Sequence, residues 1–224
     1  VIKSETHPVP EETVFIPFAW STQIGEVYLY GMHPFGGGWG HGIWSVQPDG
    51  TGLRQLITES KFVRLPLLSP DGLQFAYLSS DIESLPRKYI PGVGAPPANT
   101  LITMNLKTGQ EQVIAQIKEQ TFGVMAWARN SDELILTRQE WKDNNLLDIS
   151  LVAIPVKGAG EREIIALSQP SSITDIFDNG KDGALLWVNK VPNGLDLLLK
   201  KRDTPPISIL SLPDGQIKIV GYLK

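Results

Sequence analysis

The chain has 224 residues, 42% hydrophobic and 20% charged, which is enough to bury a core without disulfides or metals. Its 20 Lys and Arg face 24 Asp and Glu, a net charge of −4. Nucleic-acid binding needs clustered cations, so this balance argues against a nucleic-acid partner. No apolar run approaches the roughly 20 residues of a membrane-spanning helix, so membrane association is expected only by tethering or through a partner. Cysteine is absent, which removes disulfides, thiolate metal sites and cysteine nucleophiles.

The first thirteen residues differ in composition from the rest. Residues 1–13 are polar and contain proline without any period, as is typical of a tail or linker. The chain begins with Val1, so we expect it to be processed or to be part of something longer. Residues 14–224 carry strand patterns throughout and are predicted to form one all-β domain.

Strand and turn patterns recur four times in the same order along the chain. The first run of each set is EVYLY (Glu26–Tyr30), LQFAYL (Leu73–Leu78), ELILT (Glu133–Thr137) or ALLWV (Ala184–Val188). A second run ending in a turn follows, at Ile43–Gly50, Leu101–Gly109, Ile149–Gly158 and Ile207–Gly215, and then a closing strand, LRQLI, EQVIA, REIIA or QIKIV. Gly supplies the positive φ of such turns, and Asp bonds back to its own backbone.

An apolar segment with its own turn precedes each set and sets the period. Aligning Trp20, Leu68, Trp127 and Phe177 gives spacings of 48, 59 and 50 residues, and such a period signals a repeat architecture. Four strands per unit predict β-propeller blades at about 14–60, 61–118, 119–168 and 169–224. An all-β sandwich is the alternative, although that fold does not require the same order of strands and turns to recur four times. Four tryptophans on strands are expected in the core: Trp20, Trp44, Trp127 and Trp187.

The repeat resembles that of a known family. LSPDGLQFAYLSS (Leu68–Ser80), followed by LITMNLKTGQEQVI (Leu101–Ile114), is similar to the PD40 repeat of TolB-like, WD40-like propellers. The first unit keeps IWSVQPDGTGLRQLI and the third keeps AWARNSDELILT, whereas DIFDNGKDGALLWV of the fourth departs furthest. The resemblance implies a propeller over roughly residues 14 to 220, either a closed four-bladed one or part of a larger one. It implies little about function, because one fold hosts many tasks.

Insertions mark a candidate binding face. Tight turns are expected between first and second strands and between third and fourth strands. The long segments all fall between second and third strands, at Gly31–Gly42, Ser79–Thr100, Gln139–Leu147 and Asn189–Gly194. Repeat folds often build a binding surface from such insertions on one face.

Aromatic and basic residues in these insertions are the candidate binding residues: His33, Phe35, Trp39, His41, Arg87, Lys88, Tyr89 and Trp141. The glycine-rich first insertion is either an aromatic loop that stacks on a ring or closes over a peptide, or a structural loop whose Trp39 packs on its own blade. In the second insertion, Arg87 and Tyr89 are residue types enriched at interface hot spots, although a solvated loop is an equal alternative.

Motifs for catalysis and cofactors are absent. The chain has no G-x-S-x-G, H-E-x-x-H, Walker or G-x-G-x-x-G motif in the right context, so neither a catalytic residue nor a cofactor is expected. His33 and His41 have no carboxylates nearby in sequence, so no metal site is expected. Asp178–Gly183 resembles half a calcium loop but lacks its middle acidic ligand and its final Glu, and a structural turn is the better interpretation.

These observations predict a non-catalytic interaction module, a scaffold or a subunit of a larger complex, that holds a protein partner on its insertion-bearing face. The resemblance to TolB-like propellers implies a periplasmic or otherwise extracytoplasmic location. One alternative is the propeller of a prolyl-oligopeptidase-type serine peptidase, whose catalytic domain would lie outside these residues. Another is a glycan-binding propeller with Trp39 and Trp141 as stacking platforms.

Overall fold

The protein is described here from a computed structural model. The structure describes residues 13–32, 40–58, 62–81, 97–142, 145–158, 160–167, 172–178, 184–201, 204–213 and 215–219. In this part the chain forms sixteen strands in four antiparallel sheets of four strands each, which confirms the predicted four-stranded blades. Within the same residues, no helix has the length and apolarity needed to cross a membrane.

Two compact units make up the chain, the first at Val1–Lys118 and the second at Glu119–Lys224. The first unit holds a sheet of order β1-β2-β3-β4 and a sheet of order β5-β6-β7-β8. Their strands are β1 (Val14–Ser21), β2 (Glu26–Met32), β3 (Gly40–Val46), β4 (Arg54–Ile57), β5 (Arg64–Leu68), β6 (Gln74–Ser79), β7 (Thr100–Asn105) and β8 (Glu111–Gln116).

The core of the first unit lies between its two sheets. Side chains alternate across a strand, and one face of each sheet contributes to a shared apolar cluster. At its centre the rings of Tyr28 and Phe75 meet edge to face, with centroids 4.4 Å apart, and both are fully buried. Each large apolar side chain buried this way contributes about 1.5–3 kcal/mol.

A second cluster covers the other face of the first sheet. Trp44 is fully buried there and receives the edge of the Phe15 ring, with centroids 5.5 Å apart. The expectation that all four strand tryptophans are core residues is confirmed for Trp44, Trp127 and Trp187 and wrong for Trp20, which is 61% exposed. Trp20 lies opposite Val27, one residue before the turn that ends β1, beyond the Phe15–Trp44 pair.

Asp-Gly turns connect the strands as predicted. Gly50 and Gly72 take φ values of +85° and +72°, which favour glycine. The Asp71 carboxylate accepts the N–H of Leu73 at 3.1 Å. The Ser21 hydroxyl, at the end of β1, donates to the carbonyl of Gly72 at 2.6 Å. The two sheets of the first unit therefore meet with these turns at the same end.

The second unit repeats this organisation. It holds a sheet of order β9-β10-β11-β12 and a sheet of order β13-β14-β15-β16. Their strands are β9 (Gln120–Trp127), β10 (Glu133–Lys142), β11 (Asn145–Pro155), β12 (Arg162–Leu167), β13 (Ser172–Asp178), β14 (Leu185–Val191), β15 (Gly194–Lys200) and β16 (Ile207–Leu212).

The core of the second unit lies between β9, β10 and β11 on one side and β13 and β14 on the other. Trp187 and Leu151 are fully buried in this cluster, together with Ile135 and Ile176. At the end of the strands, the N–H of Arg129 donates to the Asp178 carboxylate at 2.9 Å. Asp178, the last residue of β13, thus has a structural role as the acceptor that links the two sheets of this unit. The rest of the half calcium loop, residues 179–183, lies outside the described residues.

The prediction for the fourth blade is wrong in its strand assignment. Asn189–Gly194 is not an insertion, because Val191 pairs with Gly194 in a two-residue hairpin. GLDLLLK therefore forms the third strand, β15, and ISILSL, predicted as the third strand, forms the fourth. The predicted closing strand QIKIV has no strand structure over its described residues, 216–219, because the sheet already has four strands before it.

The third insertion was also predicted wrongly as a loop. Strand β10 continues to Lys142, which pairs with Asn145 at the start of β11. Residues 139–142 and 145–147 therefore extend the sheet as the arms of a long hairpin. The arms pair from Gln139↔Ile149 to Lys142↔Asn145 with one bulge, so their backbone hydrogen bonds are met inside the sheet.

Candidate functional site

Most of the predicted binding residues lie outside the described part of the chain. This holds for His33, Phe35, Trp39, Arg87, Lys88 and Tyr89. The backbone of His41 belongs to β3, but its side chain is not described. Their assignment as binding residues stays a prediction.

Trp141 is the predicted site residue that the structure does describe. It lies near the tip of the β10–β11 hairpin, opposite Leu146 and next to a bulge at Glu140. Its indole Nε1 donates to the Thr121 hydroxyl at 2.9 Å, and that hydroxyl lies 3.2 Å from the Gln139 amide oxygen. The half-buried ring is thereby held against the start of β9.

The hairpins of the second unit define a common end. We call the end of a sheet where its second strand turns into its third the loop end, and the opposite end the turn end. The Arg129–Asp178 hydrogen bond joins the turn ends of the two sheets. The Lys142–Asn145 and Val191–Gly194 hairpins therefore both lie at the loop end of this unit.

A cleft of about 740 Å³ opens at the loop end of the fourth sheet. Its walls are the first half of β13, the end of β14, the start of β15 and the segment that follows β16. The lining residues are Thr174, Asp175, Lys190, Val191, Pro192, Gly194, Leu195, Pro213, Gly215, Gln216, Ile217 and Lys218. This volume is in the range of small-ligand and peptide sites.

One wall of the cleft depends on a glycine. Gly194 has a φ of +144°, and a Cβ there would clash with the carbonyl oxygen of Leu212. Only glycine lets the start of β15 approach the end of β16 so closely. The chain after Leu212 then leaves the sheet beside the Val191–Gly194 hairpin and turns back across it.

The opposite wall is held by one carboxylate. Asp175 Oδ2 accepts the N–H of Ile219 at 2.8 Å, and Oδ1 accepts the N–H of Ile176 at 3.0 Å. Both oxygens of this half-buried side chain are therefore engaged by the backbone. The anchor fixes the segment 215–219 beside the first half of β13.

The charged lining of the cleft is predominantly cationic. Lys190 and Lys218 both line the cleft and are exposed, and the carboxylate of the acidic lining residue Asp175 accepts two backbone N–H groups. Leu195 and Ile217 add half-buried apolar surface. The arrangement suits an extended segment that presents an acidic group to the lysines and apolar atoms to the floor.

The described residues contain no cluster of metal ligands, and two buried tyrosines have raised pKa values. Within that described part of the chain, no three His, Cys, Asp or Glu side chains come together to hold a metal ion. The perturbed tyrosines are structural: burial and then the Glu26 carboxylate raise the pKa of Tyr28 to about 12. Burial, followed by the 2.7 Å hydrogen bond to Glu111, raises the pKa of Tyr77 still further.

Comparison with known proteins supports the fold. No family model matches the chain, and no curated protein matches it. The solved structure of a putative TolB from Agrobacterium tumefaciens aligns with a TM-score of 0.58 at 12% identity, over 86% of this chain and 63% of that one. The fold is that of a TolB-like β-propeller.

Peptidase structures align equally well. A prolyl endopeptidase gives a TM-score of 0.63 at 10% identity, over 89% of this chain and 30% of that one. A puromycin-hydrolysing peptidase from Mycobacterium tuberculosis gives 0.62 at 13% identity, over 90% of this chain and 30% of that one. The chain thus spans less than two thirds of each of these relatives.

The cleft residues Asp175, Lys190 and Lys218 were missed by the sequence analysis. The Pro192-Asn193-Gly194 string is a turn signal that indicates the hairpin forming one wall. The leucine-rich run after it, Leu195–Leu199, indicates a strand. No local pattern indicates that Ile219 returns to Asp175, 44 residues earlier in the chain.

Proposed function

We propose that this chain is a non-catalytic interaction module that binds a protein partner at the loop end of its blades. The observation that carries the proposal is the cleft beside the Val191–Gly194 hairpin, with Lys190 and Lys218 on its walls. The partner would place an extended segment with an acidic group in this cleft. Such a module acts as a scaffold or as an accessory subunit of a complex.

Loop residues predicted from sequence are further candidates for partner binding. In the second unit, Trp141 lies at the same end as the cleft. The candidates in the first unit are His33, Phe35, Trp39, His41, Arg87, Lys88 and Tyr89. The similarity to TolB supports an extracytoplasmic location, which fractionation of the native cells with compartment markers tests directly.

Paired photo-crosslinking tests the binding end. Asn193 lies in the hairpin at the loop end and Asn130 in a turn at the turn end, and both side chains are exposed. A photoreactive phenylalanine analogue placed at either position samples opposite ends of the same unit. We expect one discrete cross-linked protein from position 193 in native cells and none from position 130. Equal labelling from both positions, or labelling from 130 alone, would contradict the proposal.

A second candidate function is the propeller of a prolyl-oligopeptidase-type serine peptidase. The observation that favours it is the alignment with the prolyl endopeptidase, at a TM-score of 0.63 and 30% of that chain. In that case the native protein would carry a G-x-S-x-G nucleophile outside these residues. Labelling the native protein with a fluorophosphonate probe decides between the two: a labelled serine supports the peptidase, and an unlabelled protein supports the interaction module.

A further inference from the structure

Strand β16 is an edge strand without the usual protection. Among the described strands it pairs only with β15. Natural sheets guard such edges with charged residues, and the outer strands β4, β8 and β12 each begin with Arg or Glu. In contrast, the β16 sequence ISILSL contains no charge. Ile207, Ile209 and Leu210 are 56%, 49% and 44% exposed.

The β16 sequence is a chemical palindrome. In both directions it reads apolar, Ser, apolar, apolar, Ser, apolar. If two copies run antiparallel about a point between Ile209 and Leu210, every apolar residue lies opposite an apolar residue. Each Ser208 then lies opposite a Ser211. Matched cross-strand pairs of this kind stabilise a sheet.

A bulge in β16 allows the palindromic positions of two antiparallel copies to face each other. In a regular strand, residues five apart point to opposite faces, so Ile207 and Leu212 could not face each other across a two-fold axis. In β16 the register steps from Leu197↔Leu210 to Leu198↔Ser208, which leaves Ile209 as the additional residue. The extra residue shifts the alternation of side chains by one position, so Ile207 and Leu212 point to the same face of the sheet.

The two serines of β16 likewise share a face, the one opposite to that of Ile207 and Leu212. Ser208 lies opposite Leu198 and Ser211 opposite Asp196, two positions of β15 that share a face. Their hydroxyls are 3.2 Å apart, and the Ser211 hydroxyl donates to the Asp196 carboxylate at 2.6 Å. The sequence of β16 and the faces of its two outer pairs, Ile207 with Leu212 and Ser208 with Ser211, are therefore symmetric about its centre.

We propose that β16 is a self-association edge that pairs antiparallel with β16 of a second copy of this chain. The two-fold axis passes between Ile209 and Leu210, and the two fourth sheets join into one sheet of eight strands. A second copy is the occupant because the symmetry of the strand serves only a two-fold partner. This edge is separate from the cleft, so it extends the proposed function without depending on it.

Cysteine trapping tests the register, because the chain has no cysteine of its own. An affinity-tagged Ser208→Cys variant is mixed with an untagged Ser211→Cys variant under mild oxidation. Opposed positions bring the two sulfurs within disulfide reach, so we expect the mixed disulfide in several-fold higher yield than either homodimer. Val113→Cys on β8, whose side chain is also 56% exposed, replaces Ser208→Cys as the control and should give only background.

The outcomes separate self-pairing from random collision. Equal yields of mixed and homodimeric disulfides, or yields no higher than the Val113→Cys control, would overturn the proposal. Sedimentation velocity on the cysteine-free chain gives a second readout: a concentration-dependent dimer is expected, lost in Ile209→Lys and retained in Val113→Lys. A monomer at every concentration would also overturn the proposal, and so would a β16 edge that binds an unrelated extended peptide in place of a second copy. Circular dichroism of both lysine variants confirms that they fold.

Discussion

The N–H of Ile219 donates to the Oδ2 atom of Asp175 across 2.8 Å, and this hydrogen bond joins the chain after β16 to the first half of β13. Because Oδ1 also accepts the N–H of Ile176, one carboxylate serves two backbone donors. The cleft between Lys190 and Lys218 depends on this anchor for one of its walls.

Asp175→Ala removes both acceptors, and we expect the unfolding free energy of the second unit to fall by about 1–3 kcal/mol. Hydrogen exchange of the Ile219 amide should accelerate at the same time, because its acceptor is lost. Asp132→Ala, at an exposed carboxylate of the same unit, is the control and should leave both quantities unchanged. Unaltered exchange at Ile219 in Asp175→Ala would show that the anchor does not hold in solution.

Gly194→Ala is expected to be more damaging than its small size implies. The substitution combines a φ of +144° with a clash against the Leu212 carbonyl, and we expect a loss of about 2–4 kcal/mol. Gly158→Ala is the matched control, since Gly158 has a φ of +110° but open space around its Cβ, and should cost about 1 kcal/mol. Urea unfolding measures both variants, and equal losses would contradict the tight contact between β15 and β16.

Tyr28→Phe tests the cost of a buried hydroxyl. The Tyr28 hydroxyl is buried and has no hydrogen-bond partner in the described structure, so its removal should leave stability at pH 7 unchanged or raise it by about 1 kcal/mol. In contrast, the Tyr30 hydroxyl donates to the Val63 carbonyl at 3.1 Å, and Tyr30→Phe should lose about 1 kcal/mol. The reverse order in chemical denaturation would contradict these assignments.

Alkaline pH should destabilise the first unit through Tyr28. The pKa of Tyr28 is raised from 10.0 to about 12 by burial first and by the Glu26 carboxylate second, with Arg54 opposing. Between these two values the unfolded chain releases a proton that the folded chain keeps, so the unfolding free energy falls as pH rises. The stabilising contribution is complete below pH 10 and lost as pH passes 12. Tyr28→Phe should show a shallower decline in unfolding free energy over this range than the unaltered chain, and an equal slope would exclude the Tyr28 contribution.

Local signals were sufficient to predict most of the fold. The Asp-Gly turns at Gly50 and Gly72 have the positive φ that their sequence indicates, and the runs around them form the predicted strands. Local signals failed where one turn was overlooked, because treating Pro192-Asn193 as an insertion displaced every later strand of the fourth blade by one. A single turn assignment therefore decided whether ISILSL was an inner or an edge strand.

Local sequence patterns could not predict the candidate site. Its geometry depends on the contact between Asp175 and Ile219 and on the approach of Gly194 to Leu212, and both contacts join residues distant in the chain. Periodicity identifies which face of a strand is apolar, but it carries no information about which segment returns to cover that face. Trp20 shows the same limit, since its strand position predicts burial that the end of β1 does not provide.

The most direct test of the account is the affinity of the protein captured at position 193 for charge-reversed forms of this chain. Lys190→Glu/Lys218→Glu reverses both cations of the cleft, and Lys157→Glu/Lys201→Glu makes the same change in net charge at exposed lysines of the turn end. Titration calorimetry should show binding weakened about tenfold or more by the first pair, or about 1.4 kcal/mol, and unchanged within twofold by the second. Equal weakening by both pairs, or none by the first, would contradict binding at the loop end.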